Sequence, residues 1–597
     1  MENNKIYKII DKYDVISFDI FDTLIKRVVN SPKQIFDIVE KKYNETYSKK
    51  ISSFKMKRIA SENEIKDHIA TLTDIYDNMK KYYSKDECDS LKEIEILTEV
   101  EYCISNSNMK EIYDYCKRKN KKIYAVSDMY LSSDILKRIL KNNSYEIENI
   151  IVSCEYNCNK NSSELFKFIP EYGKNKILHI GDSLRADYIG AKKAGIGAFK
   201  IKKNIVENNN DNYEAILSLR NNNKYFYSLG YSILGPVLLE FAKWLKIKFK
   251  NENVNEIYLF AREGKIYKSV FDILYNERFN TNYLYISRRA ITMSNFKYMK
   301  FDDLNSILKY FTIKKNSTLG DTIKYLNLSL DLNEIDINQN VYSFLKNDDL
   351  YNKINYALKL ESNKVNEITL EYLKQEKVEK KFSIVDIGWN GTMQKCLITF
   401  LDNNNINFEL NGHYFLMLKE LEKSHSFIKL NTTFSYSIMD NPLLIENLFQ
   451  CVDGSTIGYR KNNNIVEPIK KEIEFDDYSK EAINDIDKGI IDFILNWKEY
   501  GFVLDEEKFK TDSLNRFMDF IDNPNRIDVN EFSKFCYSDI KNDCKLISSD
   551  LNIKKGLYNS GWKYGYLKSK LKVKLNYKFI IKVLKKIGGD KLWNMII

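Results

Sequence analysis

The pattern of apolar and polar residues predicts two α/β regions followed by a mostly helical one. In the first two hundred residues, short apolar runs alternate with amphipathic segments near Ser133, at Ser163–Phe168 and through Ala194. Apolar runs separated by helices predict a parallel sheet with right-handed crossovers. The predicted strands are Val15–Phe18, Ile123–Val126, Ile150–Ser153 and Ile177–Ile180.

The first two predicted strands are separated by far more chain than one crossover needs, since Ser127 follows Asp19 by 108 residues. The intervening chain is charge-rich and helical in period. It predicts a helical cap, at about residues 28–118, that is inserted after the first strand and closes over its end.

A second alternating pattern begins near Tyr225 with a long helix that ends at about Lys248. Helices are predicted after Gly264 and at Met393–Phe400, with a largely helical insertion before the last strand. The predicted strands are Glu256–Phe260, Tyr283–Ile286 and Phe382–Asp386. Beyond about residue 470 the period is mostly helical. We therefore predict three regions: residues 1–205, residues 206–470 and residues 471–597.

Length and composition agree with a multidomain globular chain. The chain has 597 residues, too many for one ordinary hydrophobic core, with 44% hydrophobic and 29% charged residues. Its longest uncharged run, at residues 225–239, is shorter than the roughly 20 residues that a membrane-spanning helix needs. Nine cysteines at irregular spacings predict reduced thiols and a cytoplasmic location.

The positive charge is concentrated at the end of the chain. The formal net charge is +10, and residues 561–597 contain ten lysines and one acid, which leaves about +1 for everything before them. We therefore expect no specific nucleic-acid partner. Residues 567–597 alternate apolar residues and lysines at helical spacing. This basic tail predicts either peripheral contact with the inner membrane face or a docked helix with a solvated lysine face.

Polar residues stand where the predicted strands of the first sheet end. Asp19 follows the first strand, Ser127 the second and Lys160 the third. The fourth strand runs into Gly181-Asp182-Ser183, and Asp187 follows shortly after. The carboxyl ends of parallel strands share one edge of a sheet, which is where such sheets bind their ligands.

Four such motifs in this order resemble the haloacid dehalogenase (HAD) superfamily over about the first third of the chain. The resemblance implies a Rossmann-like sheet with a helical cap and a Mg²⁺-dependent reaction on a small phosphorylated substrate. Asp19 would be the nucleophile, Ser127 would donate a hydrogen bond to a phosphoryl oxygen, and Lys160 would offset negative charge. Mg²⁺ would be held by Asp19, the Phe21 backbone carbonyl, and Asp182 or Asp187.

Phe21 departs from the pattern of most phosphatases in this superfamily, which have a second aspartate two residues after the nucleophile. Here the acid comes one residue later, at Asp22, and the sequence leaves open whether Asp22 replaces the missing acid and base. An apolar residue at this position also occurs in the dehalogenase branch. The paired acids Asp182 and Asp187 favour phosphate chemistry, because a metal site suits a phosphate and not a carbon–halogen bond.

The second region has cationic and glycine-rich segments at its predicted strand ends, which predicts a phosphate or other anion site. Its candidate residues are Arg262, Arg288, Arg289, Gly388, Gly391 and Thr392. Glu263 and Asp386 are available beside them for contacts with a sugar, a ribose or a metal. The alternative is that the glycines form tight turns and the arginines pair with nearby acids. This region also resembles the long extension of bacterial HAD-like proteins linked with glycosyltransferases and surface-polysaccharide assembly.

Three functional hypotheses follow from these patterns. The leading hypothesis is a Mg²⁺-dependent phosphohydrolase or phosphotransferase that acts on sugar- or nucleotide-linked phosphates in glycan assembly. The second is that the C-terminal module is a transferase with a glycosyl or phosphoribosyl donor, and that the HAD-like domain is accessory. The third is a non-catalytic scaffold at the membrane surface.

Overall fold

A computed structural model describes most of the chain in two compact units. The described residues are 2–29, 31–201, 216–217, 219–220, 222–330, 335–378, 380–419, 421–430, 432–471, 475–501, 506–539, 542–571, 577 and 579–581. The first unit comprises Met1–Asn221 and Asn496–Phe509, and the second comprises Asn222–Leu495 and Lys510–Ile597. The predicted boundary at residue 205 lies outside the described residues, as does most of the predicted basic tail.

The first unit contains a five-stranded parallel sheet and a small antiparallel pair of strands. Its strands are β1 (Val15–Phe18), β2 (Ile25–Arg27), β3 (Cys103–Ser105), β4 (Lys122–Ser127), β5 (Ile150–Val152), β6 (Ile177–Gly181) and β7 (Gly197–Lys200). The sheet order is β5-β4-β1-β6-β7, with every pair parallel. All four predicted strands of this sheet are confirmed, and β7 is an additional edge strand.

β1 is the centre of this sheet, and all four of its residues are buried. Phe18 lies level with Ala125 on β4 and with Ile180 on β6. The residues that follow these strands therefore emerge at the same edge. A strand covered on both faces is mostly apolar, and three of the four β1 residues are apolar, so the sequence pattern predicted this strand.

Helices connect the strands of the first unit and form the predicted insertion. They are Glu2–Ile10, Gln34–Thr46, Phe54–Asn63, Leu72–Met79, Lys85–Glu101, Ser107–Arg118, Ser133–Asn142, Ser153–Tyr156 and Gly190–Lys193, with a 3₁₀ turn at Leu165–Phe168 and a π-helical turn at Leu184–Ile189. The antiparallel pair β2 and β3 forms the base of the insertion. The helical cap is confirmed, and its four helices lie within residues 34–101 between β2 and β3.

The second unit contains another five-stranded parallel sheet. Its strands are β8 (Glu256–Phe260), β9 (Asn280–Leu284), β10 (Lys381–Trp389), β11 (Glu409–Met417) and β12 (Ser424–Ile428), in the order β12-β11-β10-β8-β9. The prediction for β8 matches the structure at both ends, whereas β9 begins three residues before the predicted strand. β10 is longer than predicted, and the sequence pattern missed β11 and β12.

The chain between the strands of the second unit is helical, as predicted. The helices before residue 471 are Tyr225–Leu229, Gly235–Glu252, Gly264–Tyr275, Arg288–Asn295, Leu304–Tyr310, Leu319–Leu326, Asp348–Gln375, Thr392–Asn403, Thr433–Asp440 and Pro442–Phe449, with a π-helical turn at Gly230–Leu234 and 3₁₀ turns at Phe296–Tyr298 and Val341–Phe344. An antiparallel hairpin, β13 (Thr456–Asn462) and β14 (Ile465–Lys470), follows them.

The chain after residue 471 is mostly helical, as predicted. Its helices are Asp477–Tyr500, Glu506–Asp522, Arg526–Phe532, Ile553–Tyr558 and Lys563–Leu571, and it contains one hairpin, β15 (Cys536–Asp539) and β16 (Asn542–Lys545). Among the described helices, none combines the length and apolarity that crossing a membrane requires.

A buried ion pair holds the helices of the cap together. The Arg58 and Glu95 side chains are fully buried, and the guanidinium donates two hydrogen bonds to the carboxylate, at 3.0 and 2.9 Å. The Tyr76 hydroxyl donates to the same carboxylate, and Arg58 donates a further bond to Glu62, at 2.8 Å each. Loss of one partner therefore leaves a buried charge uncompensated.

We expect Glu95→Gln to lower the free energy of unfolding by about 3 kcal/mol, because it removes the charge that balances buried Arg58. Urea denaturation of the full chain measures this change. The matched control is Glu101→Gln, which removes a surface ion pair with Lys42 and is expected to cost less than about 1 kcal/mol. Equal effects of the two substitutions would contradict a structural role for the buried pair.

Candidate active site

A cavity of about 430 Å³ lies at the carboxyl edge of the first sheet. Its floor comes from the ends of the central strands and its walls from the cap. The floor residues include Asp19, Phe21, Ser127, Asp128, Lys160, Asp182 and Asp187, and the cap residues include Lys33, Phe36, Ile59, Glu62 and Asn63. The structure thus brings the predicted residues Asp19, Ser127, Lys160, Asp182 and Asp187 together in one cavity.

Lys160 links two of the carboxylates on the cavity floor. Its ammonium donates to Asp19 Oδ1 and to Asp187 Oδ1, each at 2.6 Å. The Lys160 side chain is almost fully buried, so water screens these interactions very little. Its backbone amide donates to Asp128 Oδ1 at 3.0 Å, which fixes the loop that carries it. Lys160 is therefore a buried cation held between two acids rather than a solvated surface lysine.

Asp187 is held in place by two further hydrogen-bonding groups. The backbone amide of Ser183 donates to its Oδ2 at 2.8 Å, and His179 Nε2 lies 3.2 Å from its Oδ1. The buried His179 ring also contacts the Ser17 hydroxyl, at 2.9 Å from Nδ1. Gly181 leaves the space that Asp187 occupies, because a Cβ at Gly181 would stand 2.3 Å from the Asp187 Cγ. The sequence pattern did not reveal this support from His179 and Ser17.

The pKa values of the two acids bound by Lys160 are shifted in opposite directions. Burial raises the pKa of Asp19 to about 7, and the opposing effect of Lys160 is too small to cancel it. Burial would also raise the pKa of Asp187, but the hydrogen bond from His179 and the charge of Lys160 outweigh burial and lower it. The single ammonium of Lys160 therefore does not neutralise the acids around it, and a second cation would stabilise the ionised form of Asp19.

The residues present fit a divalent metal ion. Asp19, Asp182 and Asp187 each offer a carboxylate oxygen, and these oxygens all lie within 4.8 Å of one another. Phe21 lines the same cavity, so its backbone carbonyl is a fourth candidate ligand. An all-oxygen donor set with excess negative charge suits a hard cation such as Mg²⁺.

Phe21 and Asp22 take different positions after β1. Phe21 lines the cavity, and the Arg27 guanidinium lies over its ring, with the guanidinium carbon 3.8 Å from the ring centroid. Asp22 is exposed, adopts a positive φ of 58°, and does not line the described part of the cavity. The structure therefore does not bring Asp22 together with the other predicted residues.

Two cations at the cavity were missed by the sequence analysis. Arg27 lines the cavity and is fixed by Glu99, which accepts hydrogen bonds of 2.8 and 3.2 Å from its guanidinium. Lys33 lines the cavity from an exposed position at the start of the cap. Arg27 and Glu99 are 72 residues apart in sequence, so no local pattern signals their contact. Both cations favour a negatively charged substrate.

The residues of the predicted anion site are spread along the carboxyl edge of the second sheet. Arg262 lies beside Gln450, at 3.4 Å between the guanidinium and the side-chain oxygen, and Arg288 is exposed. Arg289 instead stacks on Tyr325, at 4.7 Å from the ring centroid. Thr392 begins the helix Thr392–Asn403. Arg289 and Arg262 therefore have different contacts, with Tyr325 and Gln450 respectively.

The two glycines of the predicted anion site have packing reasons to be glycine. A Cβ at Gly388 would stand 2.0 Å from the Leu416 carbonyl oxygen on the neighbouring strand. Gly391 adopts a left-handed conformation, with φ of 60°, and a Cβ there would stand 2.3 Å from Leu421. The close approach of neighbouring segments explains why both positions are glycine, and no bound phosphate is needed to explain it.

Comparison with known proteins finds structural neighbours for the first part of the chain. No protein-family model matches the chain, and no curated protein matches it. The HAD phosphatase of Thermococcus onnurineus matches with 15% identity and a TM-score of 0.24, over 33% of this chain and 90% of that chain. The 2-haloacid dehalogenase of Pseudomonas syringae pv. Tomato DC3000 matches with 14% identity and a TM-score of 0.25, over 31% of this chain and 85% of that chain.

A third neighbour is the candidate HAD-hydrolase YfnB of Bacillus subtilis, in a structure bound to magnesium. It matches with 18% identity and a TM-score of 0.23, over 32% of this chain and 88% of that chain. These neighbours are HAD-type hydrolases that match about a third of the chain. At such TM-scores the likeness carries no argument about chemistry, which must come from the side chains of the site.

We expect Gly181→Ala to weaken Mg²⁺ binding by at least about tenfold, because the added methyl group displaces Asp187 from the metal-binding carboxylates. Isothermal titration of Mg²⁺ into the full chain measures this change. Gly458→Ala is the matched control, because a Cβ at Gly458 meets no atom within 4 Å. Unchanged Mg²⁺ affinity in a folded Gly181→Ala protein would show that Asp187 does not contribute to the metal site.

Proposed function

We propose that the first unit is a Mg²⁺-dependent phosphohydrolase or phosphotransferase with Asp19 as its nucleophile. The observation that carries this proposal is the convergence of the Asp19, Asp182 and Asp187 oxygens within 4.8 Å in a cavity that the cap covers. Lys160 contributes a buried positive charge on Asp19 itself. A carboxylate among cations at the bottom of a covered pocket is suited to attack a phosphoryl group.

The residues of the site have distinct roles in this mechanism. Mg²⁺, when bound, neutralises charge on the phosphoryl group and aligns it with the nucleophile. A carboxylate oxygen of Asp19 attacks phosphorus, and the bond from phosphorus to the leaving-group oxygen breaks. Ser127 donates a hydrogen bond to a phosphoryl oxygen, and Lys160 stabilises the charge that builds up near Asp19. Attack on the resulting aspartyl phosphate by water releases phosphate, and attack by an acceptor hydroxyl transfers the phosphoryl group.

Phe21 restricts the substrates that this site hydrolyses well. A carboxylic acid at that position would protonate the leaving group, and Asp22 is exposed outside the cavity lining. General acid catalysis typically contributes about 10²- to 10⁴-fold. The site therefore favours leaving groups that depart without a proton, such as those of acyl phosphates and phosphoanhydrides. Arg27 and Lys33 supply positive charge for a substrate with additional negative charge.

Glycan assembly is the biological setting that we propose for this activity. This setting rests on the resemblance of the chain to HAD-like proteins with a long extension, and sugar- or nucleotide-linked phosphates are the substrates it suggests. The positive charge of Arg27 and Lys33 in the cavity lining is compatible with such anionic substrates.

We expect Asp19→Asn to reduce phosphate release by at least about 10³-fold, because the amide oxygen is a poor nucleophile. Phosphate release is measured with acetyl phosphate, nucleoside diphosphates and sugar phosphates, at saturating Mg²⁺. Asp22→Asn serves as the control and is expected to change kcat/KM less than about threefold, since Asp22 lies outside the cavity lining.

Two results would count against this assignment. Equal activity of wild type and Asp19→Asn on every substrate would remove Asp19 as the nucleophile. A loss of 100-fold or more in Asp22→Asn would place the general acid at Asp22, and the restriction to good leaving groups would then be wrong.

A further inference from the structure

The carboxyl edge of the second sheet carries a cluster of acids outside the site described above. β8 and β10 are neighbours in this sheet and run parallel, with Val385 level with Leu259. Asp386 on β10 therefore stands near the end of β8, and Glu263 lies in the turn that follows β8. Glu446 joins them from the helix Pro442–Phe449. Three carboxyl groups thus meet at the edge where parallel sheets bind ligands.

Each of these carboxyl groups is oriented by a hydrogen bond to one of its oxygens. Asp386 accepts from the Ile387 amide at 2.8 Å, and Glu263 accepts from the Arg262 amide at 3.2 Å. Glu446 accepts from the indole nitrogen of Trp389 at 2.7 Å. The cluster is thus held by backbone and ring donors at the strand ends.

The effects of these acids on one another show that they are close together. Burial and the charge of Glu263 raise the pKa of Asp386 to about 8. Burial also raises the pKa of Glu446, against the effects of Trp389, Arg262 and Arg288. Two guanidinium groups therefore lie near Glu446, and Asp386 is available as a hydrogen-bond donor at neutral pH.

Tyr267 indicates that this cluster is built to receive a ligand. Its side chain is only 3% exposed, and its hydroxyl has no hydrogen-bond partner among the described residues. Burial and the charges of Glu263 and Asp386 raise its pKa, which places the hydroxyl close to both acids. A buried hydroxyl without a partner is unfavourable, and a ligand that accepts its hydrogen bond removes that penalty.

We propose that the second unit binds a small phosphorylated molecule with free hydroxyl groups, of the sugar-phosphate or nucleoside-diphosphate class, at Arg262, Arg288, Glu263, Asp386 and Tyr267. The two arginines suit the phosphate oxygens. Asp386 and Tyr267 donate hydrogen bonds to the ligand, and Glu263 accepts from its hydroxyls. Two groups of acidic or histidine side chains among the described residues lie close enough together to bind a metal ion, and neither includes these acids. This favours an organic ligand over a cation.

The test is calorimetric titration of the full chain with uridine diphosphate, glucose 1-phosphate and inorganic pyrophosphate. All proteins carry Asp19→Asn, which suppresses turnover at the first site. We expect Arg262→Ala to weaken binding of the preferred probe at least tenfold and Tyr267→Phe at least threefold. Tyr267→Phe keeps the ring that packs on Phe241 and Phe449, so it separates the hydroxyl from the fold. The preferred probe shows whether a nucleotide or a sugar is recognised.

Arg460→Ala is the matched control, since Arg460 is an exposed arginine that pairs with Glu467 on the β13–β14 hairpin. It is expected to leave every affinity unchanged. The proposal is overturned if Arg262→Ala and Tyr267→Phe bind all probes as the parent does. It is also overturned if Lys160→Ala, at the first site, abolishes all binding of the probes.

A different observation indicates a second metal site in the same unit. The chain has four histidines, and two of them, His413 on β11 and His425 on β12, lie directly opposite each other in the sheet. Glu252, at the end of the helix Gly235–Glu252, places Oε1 3.1 Å from His413 Nε2 and 3.0 Å from His425 Nε2. These three ligand atoms converge within 4.8 Å.

The geometry of these atoms is close to that of zinc ligands. Zinc binds nitrogen and oxygen at about 2.0–2.1 Å in a tetrahedron, which separates neighbouring ligands by roughly 3.3 Å. Ser383 donates to the other Glu252 oxygen at 3.5 Å, and the rings of Trp244 and Phe249 pack on His413. His425 is 37% exposed, so an ion reaches the group from solvent.

We propose that Glu252, His413 and His425 bind a divalent transition-metal ion of the zinc type, with water completing its coordination. Two imidazoles and one carboxylate favour such an ion over Mg²⁺, which prefers oxygen ligands. Lys248 lies near Glu252 and His425, and its positive charge opposes binding of a cation. Removal of that charge is therefore expected to tighten the site.

The test is titration of the full chain with Zn²⁺, and with Co²⁺ as a spectroscopic probe. We expect about one high-affinity Zn²⁺ per chain, a Co²⁺ visible spectrum typical of nitrogen ligands, and at least a tenfold loss of affinity in His425→Gln. Lys248→Met is expected to increase affinity. His68→Gln, at an exposed histidine paired with Asp74, is the matched control. Zn²⁺ affinity that is unchanged in His425→Gln, or that is lost in Asp182→Asn instead, overturns the proposal.

Discussion

The buried ammonium of Lys160 is the interaction on which the first site depends. It binds Asp19 and Asp187 at the same distance, 2.6 Å, and so holds the end of β1 to the π-helical turn after β6. Without a cation between them, two buried carboxylates repel each other and one of them takes up a proton. Lys160 balances only part of the negative charge, so a further cation would stabilise the ionised carboxylates. The same buried charges therefore hold these segments together and favour the binding of a cation.

The cap converts this charged edge into a selective cavity. Its helices are tied together by the buried pair of Arg58 and Glu95, and Arg58 also reaches Glu62 on the cavity wall. The same insertion is joined to the sheet through β2, which places Arg27 over Phe21. Phe21, which takes the place of the usual second acid, and Arg27, a cation that lines the cavity, are thus in direct contact.

Both parallel sheets place polar side chains at their carboxyl edges. The groups that stabilise the buried acids differ between the two sheets. In the first unit, an ammonium lies between carboxylates whose oxygens converge, which suits a metal ion and a phosphoryl group. In the second unit, Glu263, Asp386 and Glu446 are oriented by separate donors, and one of them holds its proton near neutral pH. A site of that kind is suited to hydrogen bonding with an organic ligand.

The sequence by itself determined the β1, β4, β5 and β6 strands and the motif residues that follow them, because apolar runs and helix periods are local signals. It also determined the helical insertion, through the length of chain between Asp19 and Ser127. β11 and β12 were missed, and β9 was shifted, because strands in the second sheet depend on neighbours far away in sequence. The same pattern gave no sign of edge strand β7.

Only the tertiary structure decided which charged side chains meet. Arg27 contacts Glu99, which is 72 residues away in sequence, and His413 contacts Glu252, which is 161 residues away. It also gave Arg289 and Arg262 different contacts, with Tyr325 and Gln450, and it placed Asp22 outside the cavity lining although its neighbour Phe21 is part of it. Such outcomes depend on packing between distant elements and on the direction of single side chains. A one-dimensional pattern records which residues are present near a strand end, whereas the fold determines the direction in which each one points.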